Sequence, residues 1–494
     1  MHSDPGDPVD SSPDEPARAV GLARRFFLGG LYVGFGSWIT SVANFAIGLV
    51  IARILGPEVF GFYALVAAVD LFLSMVGAFS MQLAIVQHPR ESDALFDTGM
   101  RISMLLGAIG LVLSVAAAPL LGHFRGSQAG WFLVILGIAR LLSLTAQTPL
   151  AHLERRLRFG AVATVSAVSL NLPNLCALGL AALGAGAWSL IARDALVAII
   201  TLVLAFALSG YRFRGRAERE IASELMAFGR PMFFARAVEI AFERVDRLLV
   251  GAWLGDLALG LYHQARVLAE TPMIAMRTLS PLAFNLYSRL QAQPQRLARA
   301  YAILNYFLVR AVFAGAAVLL VYPAETIRLL LGAEWVPAAP TLRWLALYAG
   351  LLPLLENMKT LLYGRGAVWE AMILRLVQIG LFVPGIVLGI AFDRIEWVAI
   401  ALLSVTLFGV GMARYYNRAV LEGGLGRLFA APGIALAGVA LLFALEPWGL
   451  RAAVPYWMLP AFPVVCYAVL LLALERWRLV AELRYLRGIL GSGA

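Results

Sequence analysis

Apolar residues dominate this chain in long runs, and polar residues are confined to short segments between them. A helix needs about 20 consecutive apolar residues to cross the hydrocarbon core of a bilayer. Read against that length, the 494 residues predict an all-α integral membrane protein with about 14 spans. The predicted spans are 27–52, 59–87, 100–122, 130–150, 160–183, 187–209, 228–253, 257–285, 304–331, 341–363, 368–391, 396–416, 428–446 and 455–474.

The longest hydrophilic connection, residues 210–227, divides these spans into two sets. We therefore expect two pseudo-symmetric six-helix bundles followed by two additional helices. The predicted boundaries are a disordered cytoplasmic tail at 1–26, an N-terminal bundle at 27–209, the cytoplasmic linker at 210–227, a C-terminal bundle at 228–416, and two additional helices with a basic tail at 417–494.

One spacing, LG-x4-G-x-Y, occurs twice, at residues 55–63 and again at residues 254–262. Each copy ends one apolar span and begins the next, and each lies near the start of one half of the chain. Transporters are often built from two such repeats, with interrupted helices at corresponding positions. The duplication therefore favours a transporter over an anchored enzyme.

Charge places this protein in the membrane rather than on nucleic acid. Hydrophobic residues make up 61% of the chain and charged residues 14%, and the net charge of +10 comes mostly from arginines in short loops. Arginines on one set of alternating loops outnumber those on the other by roughly five to one, which predicts that both termini are cytoplasmic. The acidic, proline-rich start contains no cleavable signal, so we expect the first apolar stretch to stay as the first helix of a multi-pass membrane protein.

The seventh predicted span is the most charged. Its Arg236, Glu239, Glu243 and Arg247 lie within about 80° of one another on a helix, with Asp246 at the edge. An ionisable side chain at the membrane centre costs about 2.5–3.5 kcal/mol and therefore usually faces a cavity or a partner. This helix face is predicted to line a wet interior.

Candidate site residues follow from these intramembrane charges. Four basic residues are predicted to bind an anionic head group in a cavity: Arg236, Arg266, Lys359 and Arg375. Four acidic residues are predicted to carry a coupling ion or to form internal ion pairs: Glu239, Glu243, Asp246 and Glu270. Ion pairing that locks the bundles together is the structural alternative for both sets.

Motifs for catalysis are missing from the sequence. It contains no GxxxxGK[ST] loop and no HExxH pair, and its five histidines and two cysteines form no metal-ligand spacing. We predict no catalytic residue, no metal and no cofactor, and no binding of nucleic acid.

Three sequence elements resemble the polysaccharide transporters of the multidrug/oligosaccharidyl-lipid/polysaccharide (MOP) flippase superfamily, the Wzx-type oligosaccharide flippases. Residues 51–63 are similar to that family's ARLLGPEEFGLYAL element, and residues 246–265 to its D-x-LLIG-x-x-LG-x-x-x-LGxYxxA element. Residues 331–340 are similar to LLG-x-x-W-x-x-A-x-P. Transporters of long carbohydrate polymers, such as the succinoglycan and teichuronic acid types, look more similar than lipid II flippases.

The resemblance implies alternating access between two bundles, with an undecaprenyl-diphosphate-linked oligosaccharide as cargo. It also implies a multi-pass protein of the bacterial inner membrane with a role in exopolysaccharide or lipopolysaccharide biosynthesis. A polysaccharide polymerase and chain-length machinery would be further partners besides membrane lipid. Two alternatives stay open at this point. One is a small-molecule exporter of the related multidrug type, and the other is a membrane polysaccharide polymerase or ligase.

Overall fold

The computed structural model describes residues 14–77 and 79–421, together with 433, 437, 463–469 and 472–473. It describes the side chains of these residues from residue 42 onward, except at 76–77, 231–232, 235, 274–275, 277–278 and 281. Throughout these residues the secondary structure is helical, without a strand, which confirms the all-α prediction. The α-helices are α1 (Asp14–Leu73), α2 (Met81–Gln87), α3 (Asp93–Arg125), α4 (Ser127–Arg155), α5 (Phe159–Ala182), α6 (Trp188–Ser209), α7 (Arg219–Trp253), α8 (Gly255–Glu270), α9 (Ile274–Leu290), α10 (Pro294–Val321), α11 (Pro323–Leu330), α12 (Ala339–Gly364), α13 (Val368–Ala391) and α14 (Ile395–Tyr416).

Within the described residues, nine helices are long and apolar enough to cross a membrane. The chain is therefore a multi-pass membrane protein. Helix α7 is not among the nine because its charges interrupt the apolar window, although it is 35 residues long. The predicted spans 428–446 and 455–474 lie almost wholly outside the described residues.

Two predicted spans are interrupted in the structure. The span predicted at 59–87 breaks at a 3-10 turn, Ser74–Gly77, and the span predicted at 257–285 breaks at another, Thr271–Met273. Pro272 lies in the second turn and has no backbone N–H for a helical hydrogen bond. The length of an apolar run does not show whether the helix is continuous. The prediction of an unbroken helix was therefore wrong for both spans.

Two helices begin earlier than predicted. Helix α1 begins at Asp14, inside the predicted tail, and α7 begins at Arg219, inside the predicted linker. Pro16 has no backbone N–H and is tolerated in the first turn of a helix. Hydrophilic composition therefore did not mark the ends of these helices.

The two copies of the repeat cross each other. Gly56 (φ 75°) and Gly255 (φ 84°) adopt left-handed backbone conformations, each where one helical segment gives way to the next. Beyond these turns, α1 and α8 touch backbone to backbone. A methyl group on Gly61 would collide with the carbonyl of Asp256, and a methyl group on Gly260 would collide with the carbonyl of Pro57. We call the membrane side that carries this crossing the repeat side.

Further contacts on the repeat side join the N-terminal helices, α1–α6, to the helices that follow. Arg125 at the end of α3 forms an ion pair with Asp256 at 3.2 Å and also donates to the backbone carbonyl of Gly251. Arg53 of α1 donates to the carbonyl of Leu329 at 3.5 Å. These contacts hold the two groups of helices together at this side.

The opposite side, which we call the linker side, carries residues 210–218. These residues are fixed by the buried carboxylate of Asp97, which accepts from the Tyr211 hydroxyl at 2.6 Å and from the backbone N–H of Arg216 at 2.8 Å. The first turns of α7 then attach to the N-terminal helices, because Glu224 contacts Nε2 of His88 at 2.8 Å. Helix α7 is thus bound at its start to the group that precedes it.

Candidate functional site

Two polar cavities lie inside the bundle and share one wall. The N-side cavity, about 390 Å³, is bounded by α1, α4 and α6, and the C-side cavity, about 550 Å³, by α8, α12 and α13. Three side chains line both cavities: Arg244, Arg247 and His263. The charged face predicted for the seventh span therefore does face an interior space, and α7 stands at its centre.

Arg266 lines the C-side cavity but is neutralised by its neighbours. Its guanidinium donates to Asp246 and, at 2.8 Å, to Glu270. Asp246 is fully buried and also accepts from the Tyr262 hydroxyl at 2.7 Å. A buried charge pair of this kind strongly constrains structure, because removing either partner leaves the other uncompensated.

A second network joins α7, α12 and α13. Glu239 accepts from Arg375 at 2.5 Å and lies 3.8 Å from the ammonium of Lys359. Glu356 lies 3.1 Å from Lys359 and 3.6 Å from Arg375. Two cations and two carboxylates thus cancel, and Lys359 is buried behind the cavity instead of lining it.

Two predicted site residues stand apart from these networks. Arg236 is exposed and does not line the C-side cavity, so the structure does not bring it together with Arg266 and Arg375. Glu243 does line that cavity, yet it makes no ion pair with any described residue. The helical angle alone placed Arg236 on the charged face, but it lies nearer the linker side than the cavity extends.

Sequence reasoning did not propose Arg244 or Arg247 as site residues, although both lie inside the bundle without an ion-pair partner among the described residues. Neither Arg244 nor Arg247 forms an ion pair within the described part of the chain, and the Nε atom of each is buried without a hydrogen-bond partner. Both line the wall shared by the two cavities. The sequence showed that α7 carries several charges, and the acidic residues near these arginines suggested ion pairs with them. In the structure, Glu239 and Asp246 pair with Arg375 and Arg266 instead.

The N-side cavity repeats the tyrosine chemistry of the C-side cavity. The Tyr63 hydroxyl donates to Asp194 at 2.7 Å and accepts from Arg193 at 2.7 Å. Tyr63 and Tyr262 are equivalent in the two repeats, and each hydrogen-bonds a carboxylate that is paired with an arginine. Deeper in the N-side cavity, a buried Asp70 pairs with Arg140 at 2.6 Å.

The two cavities differ in their charge balance. Four arginines and two carboxylates line the N-side cavity, whereas four arginines and four carboxylates line the C-side cavity. Counted once each, six arginines and six carboxylates line the two cavities, and Arg244 and Arg247 are the two of these arginines that form no ion pair among the described residues. In the described residues, no group of three or more His, Cys, Asp or Glu side chains is arranged to hold a metal ion.

Named relatives share most of the length of this chain. It is 29% identical over 455 residues to the succinoglycan biosynthesis transport protein ExoT of Rhizobium meliloti (strain 1021), covering 86% of this chain and 88% of that protein. It is 23% identical over 432 residues to the teichuronic acid biosynthesis protein TuaB of Bacillus subtilis (strain 168), covering 81% and 86%.

Solved structures show the same fold at low identity. The lipid II flippase MurJ in an inward closed conformation matches with a TM-score of 0.67 and 14% identity, covering 89% of this chain and 99% of that one. An inward-facing multidrug resistance MATE family transporter of the MOP superfamily matches with a TM-score of 0.59 and 14% identity. This match covers 77% of this chain and 96% of the transporter.

The profile of one protein family, described as polysaccharide biosynthesis protein, matches residues 50–340. This stretch contains both copies of the repeat and all of α7, so the match includes the shared wall of the two cavities. The chain therefore belongs to the polysaccharide biosynthesis protein family, which confirms the resemblance to the polysaccharide transporters of the MOP flippase superfamily.

Proposed function

We propose that this protein is a flippase that moves undecaprenyl-diphosphate-linked oligosaccharide units from the cytoplasmic to the periplasmic leaflet for polysaccharide biosynthesis. Relatives named as a succinoglycan transport protein and a teichuronic acid biosynthesis protein support this class of cargo. The fold shared with a lipid II flippase supports the transport mode. The protein would act as a transporter and not as an enzyme.

The observation that carries this proposal is the pair Arg244 and Arg247. Their side chains line both cavities without an ion-pair partner among the described residues, and each has a buried Nε atom without a hydrogen-bond partner. Guanidinium groups bind phosphate oxygens through paired N–H donors. A lipid diphosphate between these arginines would complete their hydrogen bonds, while its prenyl tail stayed in the bilayer.

The proposed orientation places the repeat side in the periplasm of the bacterial inner membrane and both termini in the cytoplasm. Contacts such as Arg125 with Asp256 and Arg53 with Leu329 would then form a closed periplasmic gate. The structure would represent an inward-facing state that receives cargo from the cytoplasmic leaflet. Outward movement would require these contacts to separate.

Two sources of energy fit this arrangement. Moving about two negative charges outward, with the inside negative, releases about 4.6 kcal/mol per 100 mV. Alternatively, a carboxylate could carry a counter-moving proton or sodium ion. Glu243 suits that role better than Glu239, Asp246 or Glu270, since those three are occupied by ion pairs with Arg375 or Arg266.

The proposal is tested with purified protein in proteoliposomes, by following a fluorescent prenyl-diphosphate-linked oligosaccharide across the bilayer. We expect protein-dependent flux that increases with an imposed potential, negative on the side that presents the cargo, and falls at least about tenfold in Arg244→Gln and Arg247→Gln. Arg236→Gln, exposed on the same helix, is the matched control and should retain flux.

The multidrug-type exporter is the second candidate, and the same preparation tests it. Saturable transport of soluble organic cations, combined with no flux of any lipid-linked sugar, would replace the flippase proposal with an exporter. The two arginines at the shared wall that form no ion pair with any described residue, Arg244 and Arg247, favour an anionic cargo over a cationic one.

A further inference from the structure

The C-side cavity has a composition that the binding of a lipid diphosphate does not explain. Its arginines Arg266 and Arg375 are already neutralised by Asp246, Glu270, Glu239 and Glu356. It is also the larger of the two cavities. A cavity lined by balanced donors and acceptors suits a polar, uncharged ligand better than an anion.

We infer that the C-side cavity binds the sugar portion of the cargo, that it selects neutral, hydroxyl-rich sugars next to the diphosphate, and that Glu243 excludes acidic sugars there. This inference rests on the proposed function and deepens it. Glu243 is the specificity-determining residue, and Arg244 and Arg247 hold the diphosphate beside it.

Charge at the cavity wall supports this selection. The carboxylate of Glu243 has no ion-pair partner in the described structure and can accept hydrogen bonds from sugar hydroxyl groups. A sugar carboxylate in the same place would meet Glu243 at close range, and like charges brought together cost several kcal/mol. Arg244 and Arg247 also line this cavity, but in this proposal the diphosphate occupies them, and Arg266 and Arg375 are neutralised by their own carboxylate partners.

The non-polar part of the wall also suits sugar rings. Phe45, Phe242 and Tyr348 line the C-side cavity, and the guanidinium of Arg375 stacks over the Phe242 ring at 4.3 Å. Pyranose rings present C–H faces that pack on aromatic side chains, while their hydroxyl groups reach the polar ones. A few polar groups among aromatic side chains are typical of specific small-ligand pockets.

Size and position agree with this assignment. The cavity of about 550 Å³ falls inside the range of about 300–1,000 Å³ that is common for ligand pockets. It meets the N-side cavity at Arg244, Arg247 and His263. A head group bound at this wall would therefore place its first sugars in the C-side cavity.

Three synthetic probes test the inference by binding to the purified full-length protein in nanodiscs. They are a short-chain prenyl diphosphate without sugar, the same lipid with a neutral trihexose, and the same lipid with a hexuronic acid as its first sugar. For the wild type we expect the neutral glycolipid to bind at least about tenfold more tightly than the acidic one. Glu243→Gln should reduce this preference to less than about threefold, and it should bind the sugar-free lipid no more weakly than the wild type does.

Glu220→Gln is the matched control, because Glu220 is exposed near the start of the same helix. It should keep the wild-type preference. The inference would be overturned if Glu243→Gln kept the wild-type preference, or if it lost affinity for all three probes equally. Failure of the wild type to bind even the sugar-free prenyl diphosphate would instead count against the proposed function, so the two failures are distinguishable.

Discussion

Gly61 and Gly260 lie against each other across the two repeats, so that neither residue has room for a side chain. They occupy the same position in the LG-x4-G-x-Y spacing, one in each half of the chain. A motif found by its recurrence in sequence thus makes contact with its own second copy. The reason for the repeated glycine is this close approach between α1 and α8.

Gly61→Ala is expected to destabilise the closed repeat side, because the new methyl group would meet the backbone of Asp256. Overpacking of this kind costs about 1–3 kcal/mol, and it should lower the unfolding temperature in detergent. Gly110→Ala is the control, since a methyl group there meets no other atom. Equal unfolding temperatures for the two variants would contradict the close contact.

Acidification is expected to favour the closed repeat side through Asp256. Burial raises the pKa of this carboxyl group above its ordinary value, and the carboxylate of Glu58 adds to the increase, although Arg125 opposes it. The closed form therefore binds the proton more tightly than an open, hydrated form. Closure becomes more favourable as the pH falls from the raised pKa toward the ordinary value of about 3.9.

A single cysteine at Leu259, which is fully buried next to the contact between Gly260 and α1, can report this effect through its rate of labelling by a maleimide. After correction for the fraction of thiolate, labelling should slow as the pH falls. The pH dependence should disappear in Asp256→Asn. A dependence that persists in this variant would assign the effect to another group.

Arg266 is expected to stabilise the folded protein rather than to bind cargo. Asp246→Asn should cost about 3–5 kcal/mol of stability, because it removes the main partner of a buried cation. The double variant Asp246→Asn/Arg266→Gln should recover much of that loss in thermal unfolding. If the double variant is stable and still transports, the predicted role of Arg266 as a cargo ligand is wrong.

The linker should detach when Asp97 loses its charge. Asp97→Asn weakens hydrogen bonds from Tyr211 and from the backbone of Arg214 and Arg216, each worth about 1.5–3 kcal/mol when the acceptor is charged. Trypsin should then cleave at residues 212–216 faster than in the wild type. Asp93→Asn is the control, since its ion pair with Arg214 is exposed and contributes little.

The fold was largely predictable because length and apolarity determine membrane helices directly. The repeat at Gly56 and Gly255 also marked real changes in helix direction. What could not be predicted was the break near Thr271, since apolar residues continue through a 3-10 turn as readily as through a helix. Composition likewise failed to show that α7 begins at Arg219.

The candidate site was predictable only as a region. The sequence placed many charges on α7, but the pairing of Glu239 with Arg375 joins residues that are far apart along the chain. Three-dimensional packing decides which cations are neutralised by an acidic partner. For that reason only the structure shows that Arg244 and Arg247 form no ion pair among the described residues, and the roles assigned to the predicted residues stay predictions.

Helix α7 is attached to different neighbours at its start and at its middle. Glu224 is bound to His88 among the N-terminal helices, whereas Glu239 is bound to Arg375 of α13. If the two groups of helices rotate apart, the short segment between Glu224 and Glu239 must bend or twist to absorb the motion. Pro231 lies inside that segment, and its missing N–H lowers the cost of bending there. The cargo arginines, one to two turns beyond Glu239, would then travel with α13 while the linker stays behind.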